Sequence, residues 1–240
     1  MSSISEAVRA IHESKPRRVV VFTGAGVSAD SGIPTFRGSG GLWRDFRAED
    51  LATPEAFERN PGLVWEWYEW RRELIRKAEP NAAHKAVARL PQAVVVTQNV
   101  DGLHARGGAY DVIELHGNIF RVRCVREGTV QARRAAFPEL PPRCDCGALL
   151  RPDVVWFGEM LPDDAVARAV SAIRAADLLL VIGTSGVVYP AAGFVTLHRG
   201  LSIEINPEPS GASSACTHAI AARAAEATPQ IVDAILAARG

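Results

Sequence analysis

No stretch of this 240-residue chain approaches the roughly 20 consecutive apolar residues that a bilayer-spanning helix needs. The opening Met1-Ser2-Ser3 lacks the basic and apolar parts of a secretory signal. Neither sign of charge is in excess. Lys and Arg number 27 and so do Asp and Glu, so the bulk positive field that draws proteins to nucleic acid or anionic membranes is missing. Cysteine is scarce: four residues at uneven spacing make no disulfide framework and suit a reducing compartment. There is no internal repeat and no low-complexity tract. These absences lead us to expect a cytoplasmic protein with neither nucleic acid nor a membrane among its partners.

What the chain does have is a series of short apolar runs, at 19–22, 93–96, 112–115, 178–182 and 201–205. Most lack period-2 alternation, as expected for strands covered on both faces of a parallel sheet. Helical patterns intervene at 81–90, 163–176 and 229–238, and Ile4, Val8 and Ile11 mark one face of an N-terminal helix. The alternation predicts an α/β fold, a Rossmann-like doubly wound parallel sheet. Two segments break the pattern. Residues 43–78 are helical in pattern and rich in Trp, Phe and Arg, and residues 120–153 hold three cysteines and several prolines. We read both as insertions forming a second, smaller lobe. The main domain is then 1–38, 89–119 and 154–240, and the lobe 39–88 and 120–153. The crevice between them is the expected ligand site.

The chemistry gathers at the ends of the predicted strands. After the first comes Thr23-Gly24-Ala25-Gly26-Val27-Ser28-Ala29, a glycine turn into a helix start of the kind that admits a phosphate. Alone it also fits an ordinary glycine turn. The chain then breaks at Gly32-Ile33-Pro34 and runs through Thr35-Phe36-Arg37-Gly38 into Ser39-Gly40-Gly41, which reads as a lid over a dinucleotide. The second run ends in Gln98-Asn99-Val100-Asp101 and the third in His116-Gly117-Asn118. Asn99 and Asp101 also suit a helix cap. His116 is the one histidine of six at a predicted strand end, placed for general-base work or for a structural bond to a carbonyl. His12 and His198 read as surface residues, His84 and His104 as capping or lining helices, and His218 as part of a polar loop. Gly183-Thr184-Ser185 and Asn206 close the last two runs, suited to phosphate or ribose.

In series, GAGVSADSGIPTFRG, TQNVD, ELHGN, VVWFGE and IGTSGVVYPA resemble the sirtuins, the NAD-dependent protein deacylases, over roughly residues 15–235. The resemblance implies NAD as cofactor, acyl-lysine proteins or peptides as substrates, and transfer of the acyl group to ADP-ribose with release of nicotinamide and O-acyl-ADP-ribose. It assigns the NAD site to Gly24, Ala25, Gly26, Ser28, Ile33, Phe36, Arg37, Gln98, Asn99, Asp101, Gly183, Thr184, Ser185 and Asn206, with catalysis by His116 and Asn99. It places the peptide between Trp156, Phe157, Gly158 and Glu159 on one side and Val187 and Tyr189 on the other. A non-catalytic NAD or ADP-ribose sensor and an NAD-dependent dehydrogenase stand as alternatives. The latter lacks the acidic ribose reader after a second strand.

Two features lie below family level. Ala52, Tyr68 and Arg71 resemble the class III branch, which removes succinyl and malonyl groups as well as acetyl. Tyr68 and Arg71 stand i,i+3 on one helix face, and a guanidinium with a phenol matches a carboxylate. The alternative is that Arg71 only solvates an amphipathic helix. The cysteines depart from the family pattern of two C-x-x-C pairs that hold zinc. Cys124 is followed by Glu127 in place of a second cysteine, and the other pair is Cys144-Asp145-Cys146. Glu127 or water could complete a zinc site with these three thiolates, or the lobe could stand without metal. Cys216 reads as a packed or semi-exposed thiol.

Overall fold

The computed structural model describes residues 2–34, 43, 46–186 and 191–239. Six strands form a parallel sheet: β1 (Val19–Thr23), β2 (Val94–Thr97), β3 (Asp111–Glu114), β7 (Leu178–Ile182), β8 (Leu201–Asn206) and β9 (His218–Ala221). Their order across the sheet is β3-β2-β1-β7-β8-β9, the doubly wound arrangement. Three more strands, β4 (Gly117–Cys124), β5 (Val130–Ala132) and β6 (Leu150–Val154), make a small antiparallel sheet in the order β5-β4-β6.

The central strands β1 and β7 are apolar almost throughout because both of their faces are covered. Val19 and Val21 of β1, with Leu178, Leu180 and Ile182 of β7, pack on one side. There they meet α1 (Ile4–Ser14), α6 (Ala82–Ala88) and α9 (Ala224–Ala237). Val20, Phe22, Leu179 and Val181 face the other side and α8 (Asp163–Ala175). Alternation is therefore present in the packing but hidden in the sequence, where either neighbour is equally apolar. The α1 helix begins at a capping box, with the Ser3 hydroxyl accepting from the Glu6 N–H and the Glu6 carboxylate accepting from the Ser3 N–H.

Two elements differ from expectation. The last helix starts at Ala224, five residues before Pro229, because Ala224, Ala227 and Thr228 are already buried and the packing carries the helix through the proline. Strand β9 was read as loop, and its His218 lies in the sheet. It is an edge strand with a mixed pattern, and its backbone pairing with β8 holds it more than its side chains do.

Helices α3 (Ala48–Leu51), α4 (Pro54–Arg59), α5 (Pro61–Lys77) and α7 (Leu103–Arg106) share a core with the small sheet, whereas α2 (Gly26–Ala29) packs Val27 into the core of the large one. Trp65, Trp67 and Tyr68 of α5 share one core with Ile119, Val122 and Leu150 of that sheet. Arg72, fully buried, donates to the carbonyls of Ile119, Arg133 and Ala135 and pairs with Glu69. The Trp65 indole donates to Leu150 O at 2.8 Å. No helix among the described residues is long and apolar enough to cross a membrane.

Candidate active site

The strand order reverses between β1 and β7, and ligands of such sheets bind outside the carboxyl ends at this switch. Here the two strand ends press backbone against backbone. Gly24 N–H donates to Ile182 O (3.1 Å) and Gly26 N–H to Gly183 O (2.8 Å). A Cβ on Gly26 would stand 2.7 Å from Gly183 Cα, and one on Gly183, at φ +60°, 2.3 Å from Val27 N. The amides of Gly24 and Gly26, which the motif had suggested would face an anion, are thus already bonded to β7. What the glycines supply is close approach. Three strand ends are then laced through Thr184, whose Oγ1 accepts from Gln98 Nε2 (3.0 Å) and whose carbonyl accepts from Asn206 Nδ2 (2.9 Å). Ser185 follows, its carbonyl accepting from Gly211 N–H.

Beside this seam is a polar well. Ser28 Oγ donates to one Asp101 oxygen at 2.7 Å, and Leu103 N–H donates to the other at 2.8 Å. Asn99 Nδ2 donates to Gly24 O and to Ser28 Oγ, both at 3.1 Å. Burial raises the Asp101 pKa, while its hydrogen bonds and the charge of Arg71 act against that rise. A cavity above it is lined by Ala25, Ile33, Arg71, Asn99 and Asp101 among others.

Below the well lie His84 and His104, both buried, their rings 4.7 Å apart. His84 Nδ1 accepts from Asn81 N–H, which places its proton on Nε2, 3.5 Å from Ser28 Oγ. His104 Nε2 is 3.0 Å from Thr23 Oγ1. Burial lowers the two pKa values to about 4 and about 3, with His84 adding to the shift of His104. Both rings are neutral and serve to brace Ser28 and Thr23. Sequence reasoning saw them as helix residues and missed this brace, because nothing local marks two histidines 20 positions apart as neighbours.

His116 stands between β3 and β4, half-buried, with Nδ1 2.8 Å from Gln98 O. A carbonyl only accepts, so Nδ1 carries the proton and Nε2 keeps a lone pair. Burial lowers its pKa, partly offset by that carbonyl, and the ring is neutral near pH 7. The next residue must be glycine: Gly117 has φ +78°, and a Cβ there would meet Asp153 O at 2.1 Å.

Tyr68 and Arg71 of α5 are both buried, and of the two it is Arg71 that lines the cavity. That excludes the solvated-helix alternative for Arg71. Its guanidinium lies over the Trp67 ring at 5.4 Å and reaches the cavity wall shared with Asp101. Tyr68 Oη accepts from Trp156 Nε1 at 2.8 Å, and Ala52 O accepts from Phe157 N–H at 2.9 Å. Phe157 and Gly158 are exposed, whereas Glu159 turns inward. It takes both nitrogens of Arg151 (2.6 and 2.8 Å) and the Trp156 N–H. Phe36, Arg37, Val187 and Tyr189, with the 39–41 loop, lie outside the described residues.

Cys124, at the end of β4, meets Glu127, Cys144 and Cys146, with one ligand atom from each lying within 4.8 Å of all the others. Cys124 and Cys146 sulfurs are 3.5 Å apart, and Glu127 N–H donates to Cys124 Sγ. Three thiols and a carboxylate so gathered suit tetrahedral zinc. Cys216 stands apart, its pKa pushed up to about 12 by burial and Glu204. His198 is not a surface residue as read, since its two ring nitrogens lie 3.3 Å from Ile173 O and 3.0 Å from Leu201 O.

The Sir2 family model matches residues 24–190, a span that includes Gly24, the Asn99–Asp101 well, His116 and the cysteine cluster. The chain belongs to the Sir2 family. It is similar to the NAD-dependent protein deacylase of Aquifex aeolicus, 57% identical over 79% of this chain and 83% of that protein. Among solved structures, a Sir2 homologue mutant in complex with 2′-O-acetyl ADP-ribose superimposes with a TM-score of 0.92. It is 43% identical, covering all of this chain and 98% of that one. A Sir2 complex with a p53 peptide and NAD⁺ gives a TM-score of 0.84 at 31% identity, covering 97% and 98%. The α/β fold with its small antiparallel lobe is the one these Sir2 structures share.

Two outcomes are expected. Protein purified without added metal should hold about one zinc per chain by elemental analysis, and a value under ~0.2 would rule out a structural site given how tightly such sites bind. The second concerns pH. The folded pKa values of His84 and His104 lie below the unfolded value near 6.5, so the unfolded chain binds more protons in between. Stability is full above pH 6.5 and falls as pH drops toward about 4. Thermal melts should show this, with a shallower fall for His84→Gln than for the parent.

Proposed function

We propose that this Sir2-family protein is an NAD-dependent protein-lysine deacylase that favours acyl groups ending in a carboxylate. The observation that carries the catalytic part is an imidazole whose Nδ1 is held by Gln98 O, leaving the Nε2 lone pair, with the buried Asn99–Asp101 well beginning at the very next residue of the chain after Gln98. A sensor that only bound NAD would have no use for a base so held.

The residues present suit NAD. The glycine seam at Gly24, Gly26 and Gly183 closes the two turns on one another, and the pyrophosphate would lie along the Gly24–Gly26 turn and the helix start that carries Ser28. The well offers a carboxylate and an amide to a carboxamide. NAD, when bound, supplies the ribose carbon that accepts the acyl group as nicotinamide leaves. Asp101, fixed by Ser28 Oγ and Leu103 N–H, holds the carboxamide end with Asn99 and Ile33. Gln98, tied to Thr184, serves the nearby ribose, and Thr184, Ser185 and Asn206 serve the adenosine half. His116, its Nδ1 proton held by Gln98 O, receives a ribose hydroxyl proton on Nε2. The peptide adds as a strand along Trp156–Met160, read through its backbone. Tyr68 and Arg71 meet the far end of the acyl chain, with Ala52 leaving room. Desolvation of the Arg71 guanidinium gives it reason to favour an anionic acyl end over an acetyl methyl.

The test is nicotinamide release with acetyl-, succinyl- and malonyl-lysine peptides side by side. His116→Ala should lose roughly 10²–10⁴-fold on all three, and near-normal turnover would end the general-base assignment. Arg71→Met should lower kcat/KM for succinyl-lysine about 10–100-fold, the equivalent of about 1.5–3 kcal/mol for a charge-assisted hydrogen bond, and leave acetyl-lysine little changed. A parallel fall on both would make Arg71 structural.

A further inference from the structure

Tyr68 is buried, and its hydroxyl is held in a particular way. The phenol has one proton to give and two lone pairs. The indole N–H of Trp156 can only donate, and it lies 2.8 Å from that oxygen. Tyr68 is therefore the acceptor in this pair, and its own O–H remains to be given elsewhere. Among the described residues no acceptor for it is found. A buried hydroxyl with no acceptor is costly, and an incoming acceptor would complete this one.

The indole itself is not free to turn. Trp156 is buried, and the Arg151 guanidinium stacks on its ring at 3.4 Å. Arg151 is in turn clamped by both oxygens of Glu159, and Glu159 also takes the Trp156 backbone N–H. Phe57 packs against the same ring, centroids 5.2 Å apart. Glu159, Arg151, Trp156 and Tyr68 thus form one relay of fixed geometry running from the loop after β6 to the acyl-facing side of α5.

We propose that Trp156, through its indole N–H, is a positioning residue for acyl selection: it commits the Tyr68 hydroxyl to donating, and so to an acyl carboxylate. This rests on the carboxylate-reader reading of Tyr68 and Arg71. Its contribution is distinct from that of Arg71, which supplies charge. An acetyl group ends in a methyl and cannot accept the proton, whereas a succinyl or malonyl carboxylate can. The indole also polarises the phenol toward donation, since hydrogen bonds in a chain strengthen one another in a poorly solvated site.

Trp156→Phe keeps the aromatic face under Arg151 and removes only the N–H and part of the ring. Its kcat/KM for succinyl-lysine should fall about 3–10-fold, the range for one neutral hydrogen bond, with the change in KM and kcat nearly preserved. Any loss that Trp156→Phe causes through the peptide strand should fall on both substrates alike, so the ratio of succinyl-lysine to acetyl-lysine kcat/KM should still drop about 3–10-fold. Tyr68→Phe should give a similar selective loss, and the double variant should be no worse in that ratio than Tyr68→Phe alone, since the indole acts on it only through the phenol. Equal losses on both acyl groups, or additive losses in the double variant, overturn the proposal. A second measurement uses the parent protein and so does not depend on the variant folding. In ¹⁵N spectra of the parent's five tryptophan indoles, one N–H signal should move with succinyl-lysine peptide and stay put with acetyl-lysine peptide. No such selective shift counts against it. If the parent shows no succinyl preference and Arg71→Met acts on both substrates alike, the carboxylate-reader reading itself falls. A selective Arg71 effect with a non-selective Trp156 effect refutes only the present inference.

Discussion

The contact on which the rest of the site depends is the backbone seam between the Gly24–Gly26 turn and Gly183. Two parallel strands pointing the same way at the switch of a doubly wound sheet would ordinarily splay, leaving a cleft. Here the turns close on one another until only glycine fits, with a hypothetical Cβ on Gly183 2.3 Å from Val27 N. That closeness sets α2 at its position, and α2 carries Ser28, which in turn fixes both Asp101 and Asn99. The same closeness brings Thr184 into reach of Gln98, whose carbonyl then decides the tautomer of His116. A rigid join of two main chains therefore propagates, bond by bond, to the nitrogen that takes a proton.

Many of the buried polar groups cluster around this seam, with Ser202 and Glu204 of β8 among the others. Thr23, Ser28, Thr97, Asn99 and Asp101 are joined by hydrogen bonds, and the two neutral histidines reach Ser28 and Thr23, while His104 Nδ1 has no partner among the described residues. In a medium that solvates charge poorly, bonds linked in this way strengthen one another.

Much of this was legible in the residues themselves. Apolar runs of four or five at regular separations gave the parallel sheet, and the polar residues just past each run gave the rim of the site, because a chain leaving a parallel strand passes over the crevice. The stretch 178–182 matches β7 residue for residue, and the others are off by a residue or so. What was not legible depended on contacts between distant positions. In the small sheet, β5 is three exposed residues and β6 carries Arg151 and Pro152, so their pairing with β4 does more than their composition to mark them as strands. Glu159, which the family resemblance assigns to the peptide site, turns inward onto Arg151 and the Trp156 N–H, and sequence does not tell which way a carboxylate turns. Glu127 could be seen to replace a cysteine, but only folding shows that it returns to within reach of the other three. The Gly24 and Gly26 amides looked available to an anion and proved bonded to the neighbouring strand.

The small lobe is stitched together across long stretches of chain. Arg72 reaches carbonyls 47, 61 and 63 residues downstream, and Trp65 one 85 residues downstream. Helix α5 thus emerges during synthesis with two buried-state arginines and two tryptophans whose partners do not yet exist. Contacts at such separations carry a large loop-closure cost before any of them repays it. The lobe consequently assembles late and as a unit, after β4 to β6 are available, and the helix that carries the acyl-facing residues acquires its final position only when the cysteine-bearing segment has closed over it.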